Sequence, residues 1–238
     1  MADATGSSST GVGGVHDPET DLDEIDDYGY GDDDDLDPEL LEPPTQAWRA
    51  RTAIEMIISG ALGLLASFVL SIDALKLAAD PDAVLSCSIN KVIDCGAVAA
   101  RWEAHLLGDY FPNAFLGIAA ESVVITIAVA MLGGVVFPRW FMLSAQAIYT
   151  IGFVFAWWLF ARSYFVIGAL CPWCLLITAT TTLVWAGLTR VNVRERVIDI
   201  GPGARRFVAN GNDWFVTIAL LLGMVAAILI KYGSRLIA

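Results

Sequence analysis

Four cysteines are the residues in this 238-residue chain best suited to chemistry. Cys171 and Cys174 form the motif Cys-Pro-Trp-Cys at the head of a long apolar run, and Cys87 and Cys95 are eight residues apart in a polar stretch. Positions i and i+3 share one face of a helix, so the motif can close a disulfide. Because proline fits the first turn of a helix, Pro172 predicts that the regular helix starts near Cys171.

Two dithiols can serve several purposes. If the pairs are close in space, they can exchange electrons by thiol–disulfide exchange, with Cys171 reachable from a loop and Cys174 facing the apolar interior. Two structural disulfides in a non-enzymatic multi-span membrane protein would use the same residues. A zinc site with four cysteine ligands is a further alternative, with a spacing unlike the usual paired knuckles.

The elements that must position the cysteines are transmembrane helices. Hydrophobic residues make up 56% of the chain and charged residues 17%. A helix needs about 20 apolar residues to cross a bilayer. Five segments meet this need: Ala53–Ile72, Ala114–Val136, Trp140–Ala161, Tyr164–Thr189 and Trp214–Ile230. The sequence predicts an all-α integral membrane protein, with the first four spans in a compact bundle because short turns join the second, third and fourth.

The segment after Cys95 predicts a lid on this bundle. Val98, Trp102 and Leu106 recur at the spacing i, i+4, i+8, which is typical of a short amphipathic helix in the membrane interface. Asp73, near the end of the first span, is expected to be interfacial as well.

Basic residues indicate the orientation of the spans. The loop after the fourth span holds five arginines, and loops rich in arginine and lysine stay in the cytoplasm. The N-terminus is therefore predicted to be cytoplasmic. All four cysteines then lie on the extracytoplasmic side, where disulfides persist.

The net charge of −12 belongs to the N-terminal tail. Residues 1–45 contain 15 of the 26 acidic residues and none of the 14 basic ones, which predicts a disordered tail and does not indicate nucleic-acid binding. The predicted organisation is an acidic cytoplasmic tail (1–47), a four-helix catalytic bundle (48–190) with a cysteine loop (76–112), a basic cytoplasmic loop (191–212) and a fifth helix with a short tail (213–238).

Four motifs in this order resemble a known family. They are "LSIDALK" at the end of the first span, Cys-x7-Cys-x-x-Val followed by "ARW", then "NAFLG", and the Cys-x-x-Cys at the fourth span. Over about residues 53–189 they resemble vitamin K epoxide reductase and its bacterial homologues, and the proline after the first cysteine resembles the bacterial branch. The resemblance implies a four-helix bundle around a quinone, in the bacterial inner membrane.

The resemblance also implies roles for the cysteines. Cys87 would receive electrons from a DsbA-like thioredoxin-fold thiol oxidase, and Cys95 would attack a Cys171–Cys174 disulfide at Cys171. Cys174 would then pass the electrons to a quinone, menaquinone or ubiquinone, in support of disulfide formation in exported proteins. Many bacterial homologues carry a fused thioredoxin-like domain after a fifth span; none is expected here, so the partner is expected to be a separate protein.

Two further residues are candidates for the quinone site. Asn113 matches the family asparagine that binds a quinone carbonyl, and an N-cap of the second span is its alternative. Glu121 lies inside the second span and could relay protons to a quinone, or it could form a hydrogen bond between helices. Vertebrate members have tyrosine at the position of Thr178 and serine at that of Ala100, so the sequence favours a simple quinone over vitamin K epoxide.

Overall fold

The computed structural model describes residues 44–105, 108 and 111–236. Its α-helices are α1 (Gln46–Ala79), α2 (Cys95–Ala99), α3 (Asn113–Leu132), α4 (Arg139–Arg162), α5 (Pro172–Arg194), α6 (Pro202–Ala209) and α7 (Asn212–Leu236). A 3-10 turn covers Trp102–Ala104, and a π turn covers Ser163–Ile167. Residues 1–43, for which a disordered tail is predicted, lie outside the described residues.

Five of these helices are long and apolar enough to cross a membrane: α1, α3, α4 with the π turn, α5 and α7. No strand interrupts the described part of the chain, where the single β-type pairing is an isolated bridge. The predicted all-α membrane fold is therefore confirmed.

The first four spans pack with α1 between α3 and α5, and with α4 on the other side of α5. Glycine makes the close approach of α1 to its neighbours possible. A β-carbon at position 63 would lie 2.6 Å from Glu121 Oε1 on α3 and 2.9 Å from Thr180 Oγ1 on α5. The absence of a side chain at Gly63 therefore leaves room for the polar groups of both neighbouring helices.

α1 is longer than the predicted first span. It begins at Gln46, where the Trp48 N–H donates to Thr45 Oγ1 at 3.3 Å and caps the helix. Arg49 in its first turn is buried, and its Nε lies 2.6 Å from Glu195 Oε1. Hydropathy alone places the start of the helix later because it counts Arg49 as a solvated charge, whereas in the structure Arg49 forms an ion pair with Glu195.

The junction between the third and fourth spans also differs from the prediction. The sequence predicts a fourth span from Tyr164, but residues 163–167 continue α4 as a π turn, and α5 begins only at Pro172. Gly168 has φ +76°, a left-handed conformation that favours glycine, and it ends the turn. The apolar run crosses this turn unbroken, so hydropathy does not reveal it. The prediction from Pro172, that the regular helix starts near Cys171, is confirmed.

The predicted amphipathic lid is wrong as a single helix. α2 ends at Ala99, and Arg101 has an extended conformation with ψ 147° before the 3-10 turn begins. Trp102 is 61% exposed. Leu106, the last residue of the predicted stripe, lies outside the described residues.

Polar contacts attach α7 to the bundle at both ends. At one end, Arg190 of α5 is buried and lies 2.7 Å from Glu55 of α1 and 2.6 Å from Asp213 of α7. At the other end, the Tyr232 hydroxyl donates to Tyr164 O at 3.1 Å. This second contact lies beside the cysteines, at what we call the cysteine end of the bundle.

Candidate redox site

The four cysteines lie together at one end of the helix bundle, the cysteine end. Cys87, Cys95 and Cys171 are buried in one cluster with Leu85, and Cys174 packs against it. Cys87 and Cys95 form a disulfide, whereas Cys171 and Cys174 are free thiols. A disulfide and a dithiol in one cluster are the arrangement that thiol–disulfide exchange requires.

A short parallel pairing of the backbone brings the two pairs together. The Leu170 N–H donates to Val92 O at 2.6 Å, and the Asp94 N–H donates to Leu170 O at 3.0 Å. Cys95 directly follows Asp94 and Cys171 directly follows Leu170, so the same pairing fixes both cysteines. The loop is therefore held against the start of α5 by main-chain bonds.

Asp94 shapes the loop at Cys95. Its Oδ1 accepts hydrogen bonds from the Ser88 hydroxyl at 2.6 Å and from the Ala97 N–H at 3.2 Å, which caps α2. The Ser88 hydrogen bond, followed by the backbone ones, holds the pKa of Asp94 below its usual value despite the opposing effect of burial. The Asp94 carboxylate thus stabilises the loop backbone and the start of α2, whose first residue is Cys95.

Cys171 and Cys174 occupy the first turn of α5. Cys171 is the N-cap, and the Cys174 N–H donates to its sulfur at 3.4 Å. Cys171 is 2% exposed because the loop disulfide covers it, while Cys174 is partly exposed. The sequence predicts that Cys171 is reachable from the loop. In the structure, Cys171 packs against the loop cysteines and is shielded from solvent.

Asp73 of α1 belongs to the same site, although the sequence placed it in the interface. Its side chain is only 3% exposed, and its Oδ2 lies 3.8 Å from Cys87 Sγ. Leu70 and Leu77, on the same face of α1, pack against the cysteine cluster. The helical spacing of Asp73 from Leu70 and Leu77 is the sequence pattern that indicates an inward-facing Asp73.

Asn113 is the first residue of α3, next to a buried ion pair. Its Nδ2 donates to Glu103 O at 2.6 Å. Pro112 is the N-cap, so the alternative role of Asn113 as the N-cap is wrong. A role of Asn113 in quinone binding stays a prediction.

Glu103 pairs with Arg162, the last residue of α4, and sequence reasoning missed this pair. Arg162 Nε and Nη2 lie 2.9 and 2.5 Å from Glu103 Oε1. Burial acts to raise the pKa of the Glu103 carboxyl, but the Arg162 hydrogen bonds and charge, together with a backbone hydrogen bond and the charge of Arg101, outweigh it and lower the pKa below its usual value. No local sequence pattern predicts an ion pair between residues so distant in the chain.

Glu121 is buried in the middle of the bundle. The Tyr149 hydroxyl of α4 donates to its Oε2 at 2.7 Å, and Gly63 of α1 provides the space beside it. This contact is the helix–helix hydrogen bond that the sequence offered as the alternative. Proton relay by Glu121 stays a prediction.

One buried polar atom near α3 fits a carbonyl-bearing ligand. Ser67 of α1 is fully buried, and its hydroxyl has no hydrogen-bond partner among the described residues. It packs against Gly117, one turn along α3 from Asn113. A hydroxyl and an amide on adjoining helices are suitable donors to carbonyl oxygens.

Fold and site together define a class of protein: a helical membrane protein with a disulfide and a dithiol packed in one buried cluster. The family model of the vitamin K epoxide reductase family matches residues 54–188, more than half of the chain, and the chain belongs to this family. No curated protein matches it. The resemblance seen in the sequence is confirmed, and family membership implies thiol–disulfide oxidoreductase activity.

Proposed function

We propose that the protein is a thiol:quinone oxidoreductase that supports disulfide formation in exported proteins. In this proposal, electrons pass from a reduced DsbA-like thioredoxin-fold protein to Cys87 and Cys95. They then pass to Cys171 and Cys174, and on to a quinone. The observation that carries the proposal is the packing of the Cys87–Cys95 disulfide against the Cys171–Cys174 dithiol in one buried cluster.

The exposure of the two loop sulfurs supports a relay that begins at Cys87. Cys87 is 7% exposed and Cys95 only 1%, so Cys87 is the more accessible to a partner thiolate. Attack at Cys87 breaks the loop disulfide and releases Cys95 as a thiolate. Cys95 then attacks Cys171 when the pair at α5 is oxidised, and Cys174 leaves as a thiolate.

A quinone accepts two electrons and two protons when it is reduced. Ser67 and Asn113 are the residues we assign to its carbonyl oxygens: the Ser67 hydroxyl is buried without a partner among the described residues, and Asn113 lies one turn from Gly117, against which Ser67 packs. Glu121 is a candidate for proton supply. Thr178, where vertebrate members have tyrosine, bonds its own helix at Cys174 O (2.9 Å), in keeping with menaquinone or ubiquinone rather than vitamin K epoxide.

The proposed setting is the inner membrane of a bacterium, with the cysteine end extracytoplasmic. The arginine-rich segment 190–206, which covers the end of α5 and part of α6, supports this orientation, since it lies at the opposite end of the bundle from the cysteines. The exposed apolar side chains of Val84 and Ile89 flank Cys87 and offer a contact surface for the thioredoxin-fold partner.

The test is quinone reduction by the purified protein in nanodiscs, supplied with a reduced thioredoxin-fold protein and followed by quinone absorbance. Replacing any one cysteine by alanine should abolish turnover, whereas Ser86→Ala, an exposed change next to Cys87, should leave it intact. The non-enzymatic alternative predicts reduced stability in the cysteine variants and no turnover by the wild type. Absence of wild-type turnover with both menaquinone and ubiquinone would refute the proposal.

A further inference from the structure

Asp73 is a buried carboxylate that the relay described above does not use. Its Oδ2 lies 3.8 Å from Cys87 Sγ, and its Oδ1 lies 3.5 Å from Lys76 Nζ. The Lys76 side chain is 56% exposed, so water screens much of its charge. A carboxylate that is buried and only partly compensated, beside a reactive sulfur, calls for a chemical explanation.

The meaning of the Asp73–Cys87 contact depends on the redox state of the loop. In the Cys87–Cys95 disulfide, the sulfur carries no proton, so the contact is not a hydrogen bond. Once Cys87 is reduced, its S–H can donate to Asp73 Oδ2 across this distance. A Cys87 thiolate would instead place a second negative charge next to the carboxylate, which burial makes unfavourable.

The two loop cysteines have different charged and titratable neighbours. Asp73 faces Lys76, Cys87 and the Cys171 sulfur, and the Cys171 sulfur lies within the range of the Asp73 charge. Asp94 precedes Cys95, but its carboxylate is bonded to the Ser88 hydroxyl and the backbone of α2. The carboxylate in contact with a loop sulfur is thus on the Cys87 side.

We propose that Asp73 keeps Cys87 protonated in the reduced loop, so that Cys95 is the cysteine that ionises and attacks Cys171. This inference rests on the proposed function and adds a catalytic residue to it. Asp73 sets the direction of the relay, because a Cys87 thiolate would attack the departing partner's disulfide and return the electrons.

The electrons and protons balance as follows. A partner dithiol supplies two electrons and two protons: its first thiolate attacks Cys87 and breaks the Cys87–Cys95 bond, and its second closes the partner disulfide and releases Cys87. Cys87 keeps one proton, shared with Asp73, and the other proton passes to water as Cys95 ionises. Cys95 attacks Cys171, and Cys174 leaves as a thiolate. Cys87 then gives up its proton to water and attacks Cys95, which re-forms the loop disulfide and releases Cys171 as a thiolate.

The first test isolates Cys87 as the only thiol, which is possible because the chain has four cysteines. In the variant with Cys95, Cys171 and Cys174 all changed to alanine, the rate of iodoacetamide alkylation is measured against pH by mass spectrometry. Adding Asp73→Asn should raise the rate at pH 7 by about tenfold, which corresponds to one pKa unit. Asp82→Asn, an exposed change of equal charge in the same loop, should leave the curve unchanged.

Two further arms keep the test decisive. Lys76→Met removes the cation next to Asp73 and should slow alkylation of Cys87, so the proposal remains testable if Asp73→Asn fails to fold. In the reduced loop of the Cys171→Ala/Cys174→Ala variant, limiting alkylation should give a Cys95-to-Cys87 labelling ratio that falls by about tenfold with Asp73→Asn.

Identical alkylation curves with and without Asp73→Asn, or an unchanged labelling ratio, would overturn the role of Asp73. These measurements need neither quinone nor partner. A wild-type protein without quinone turnover would therefore refute the proposed function separately, and would leave the measured interaction between Asp73 and Cys87 in place.

Discussion

Removal of the Arg162 guanidinium should destabilise the cysteine end of the bundle by several kcal/mol. The Glu103 side chain is 4% exposed, and both of its close ionic contacts come from Arg162, at 2.9 and 2.5 Å. Loss of one partner from a fully buried ion pair costs about 3–5 kcal/mol. Because the Arg162 side chain is 32% exposed, water can replace part of the interaction, and we expect about 2–4 kcal/mol for Arg162→Met at pH 7.

A double-mutant cycle separates the ion pair from packing. Glu103→Gln removes the buried charge, so Arg162→Met in that background should cost only about 1 kcal/mol, which leaves a coupling energy near 2 kcal/mol. Unfolding is measured by far-ultraviolet circular dichroism during SDS titration in mixed micelles. Lys91→Met, an exposed loss of one positive charge at the same end, serves as the matched control and should change stability by less than about 0.5 kcal/mol.

The reasoning is refuted if Arg162→Met behaves like Lys91→Met. It is also refuted if the cycle gives a coupling energy below about 0.5 kcal/mol, the error of such measurements for independent sites. Either result would mean that Glu103 does not depend on Arg162 for its burial.

Three other predictions concern pH, close packing and the fifth span. The pKa of Glu103 is lowered in the folded state, so the stabilising contribution of Glu103 is complete above its ordinary pKa of 4.5 and is lost as the pH falls through the folded pKa. Arg162→Met should remove this acid sensitivity in unfolding titrations, and an acid sensitivity that persists in the variant would contradict the assignment. Gly63→Ala should cost about 1–3 kcal/mol because its β-carbon meets Glu121 and Thr180, whereas Gly223→Ala, with open space around it, should not destabilise α7 in the same assay. Tyr232→Phe should cost about 1 kcal/mol through the bond to Tyr164 O, and Tyr232→Ala about 3–5 kcal/mol through lost packing against Leu170; equal effects would show that α7 is not held there by packing.

The spans and the start of α5 could be predicted from the sequence because they rest on local signals. Apolar runs reveal membrane helices at any position in the fold. Pro172 marks the first turn of α5 because its ring restricts the backbone on its own. The π turn before Gly168 was missed, since its residues are as apolar as the helices on either side.

The contacts that assemble the candidate site depend on residues far apart in the chain, and these were not predictable. The pairing of Leu170 with the backbone of Val92 and Asp94 is too short to produce an alternating pattern. The pair of Glu103 and Arg162 joins a loop to the end of a distant helix. The predicted topology brings all four cysteines together, and the structure gathers them into one cluster, but no local signal predicts the backbone pairing that holds the loop against α5.

The central claim is that electrons cross from the loop to α5 through a bond between Cys95 and Cys171. The most direct test is disulfide mapping by mass spectrometry of the Cys174→Ala protein, isolated from cells that contain the thiol partner and alkylated at once. Without Cys174, Cys171 has no internal partner in α5, and the account predicts a Cys95–Cys171 disulfide with Cys87 free or joined to the partner. An intact Cys87–Cys95 disulfide with Cys171 always alkylated would contradict the relay.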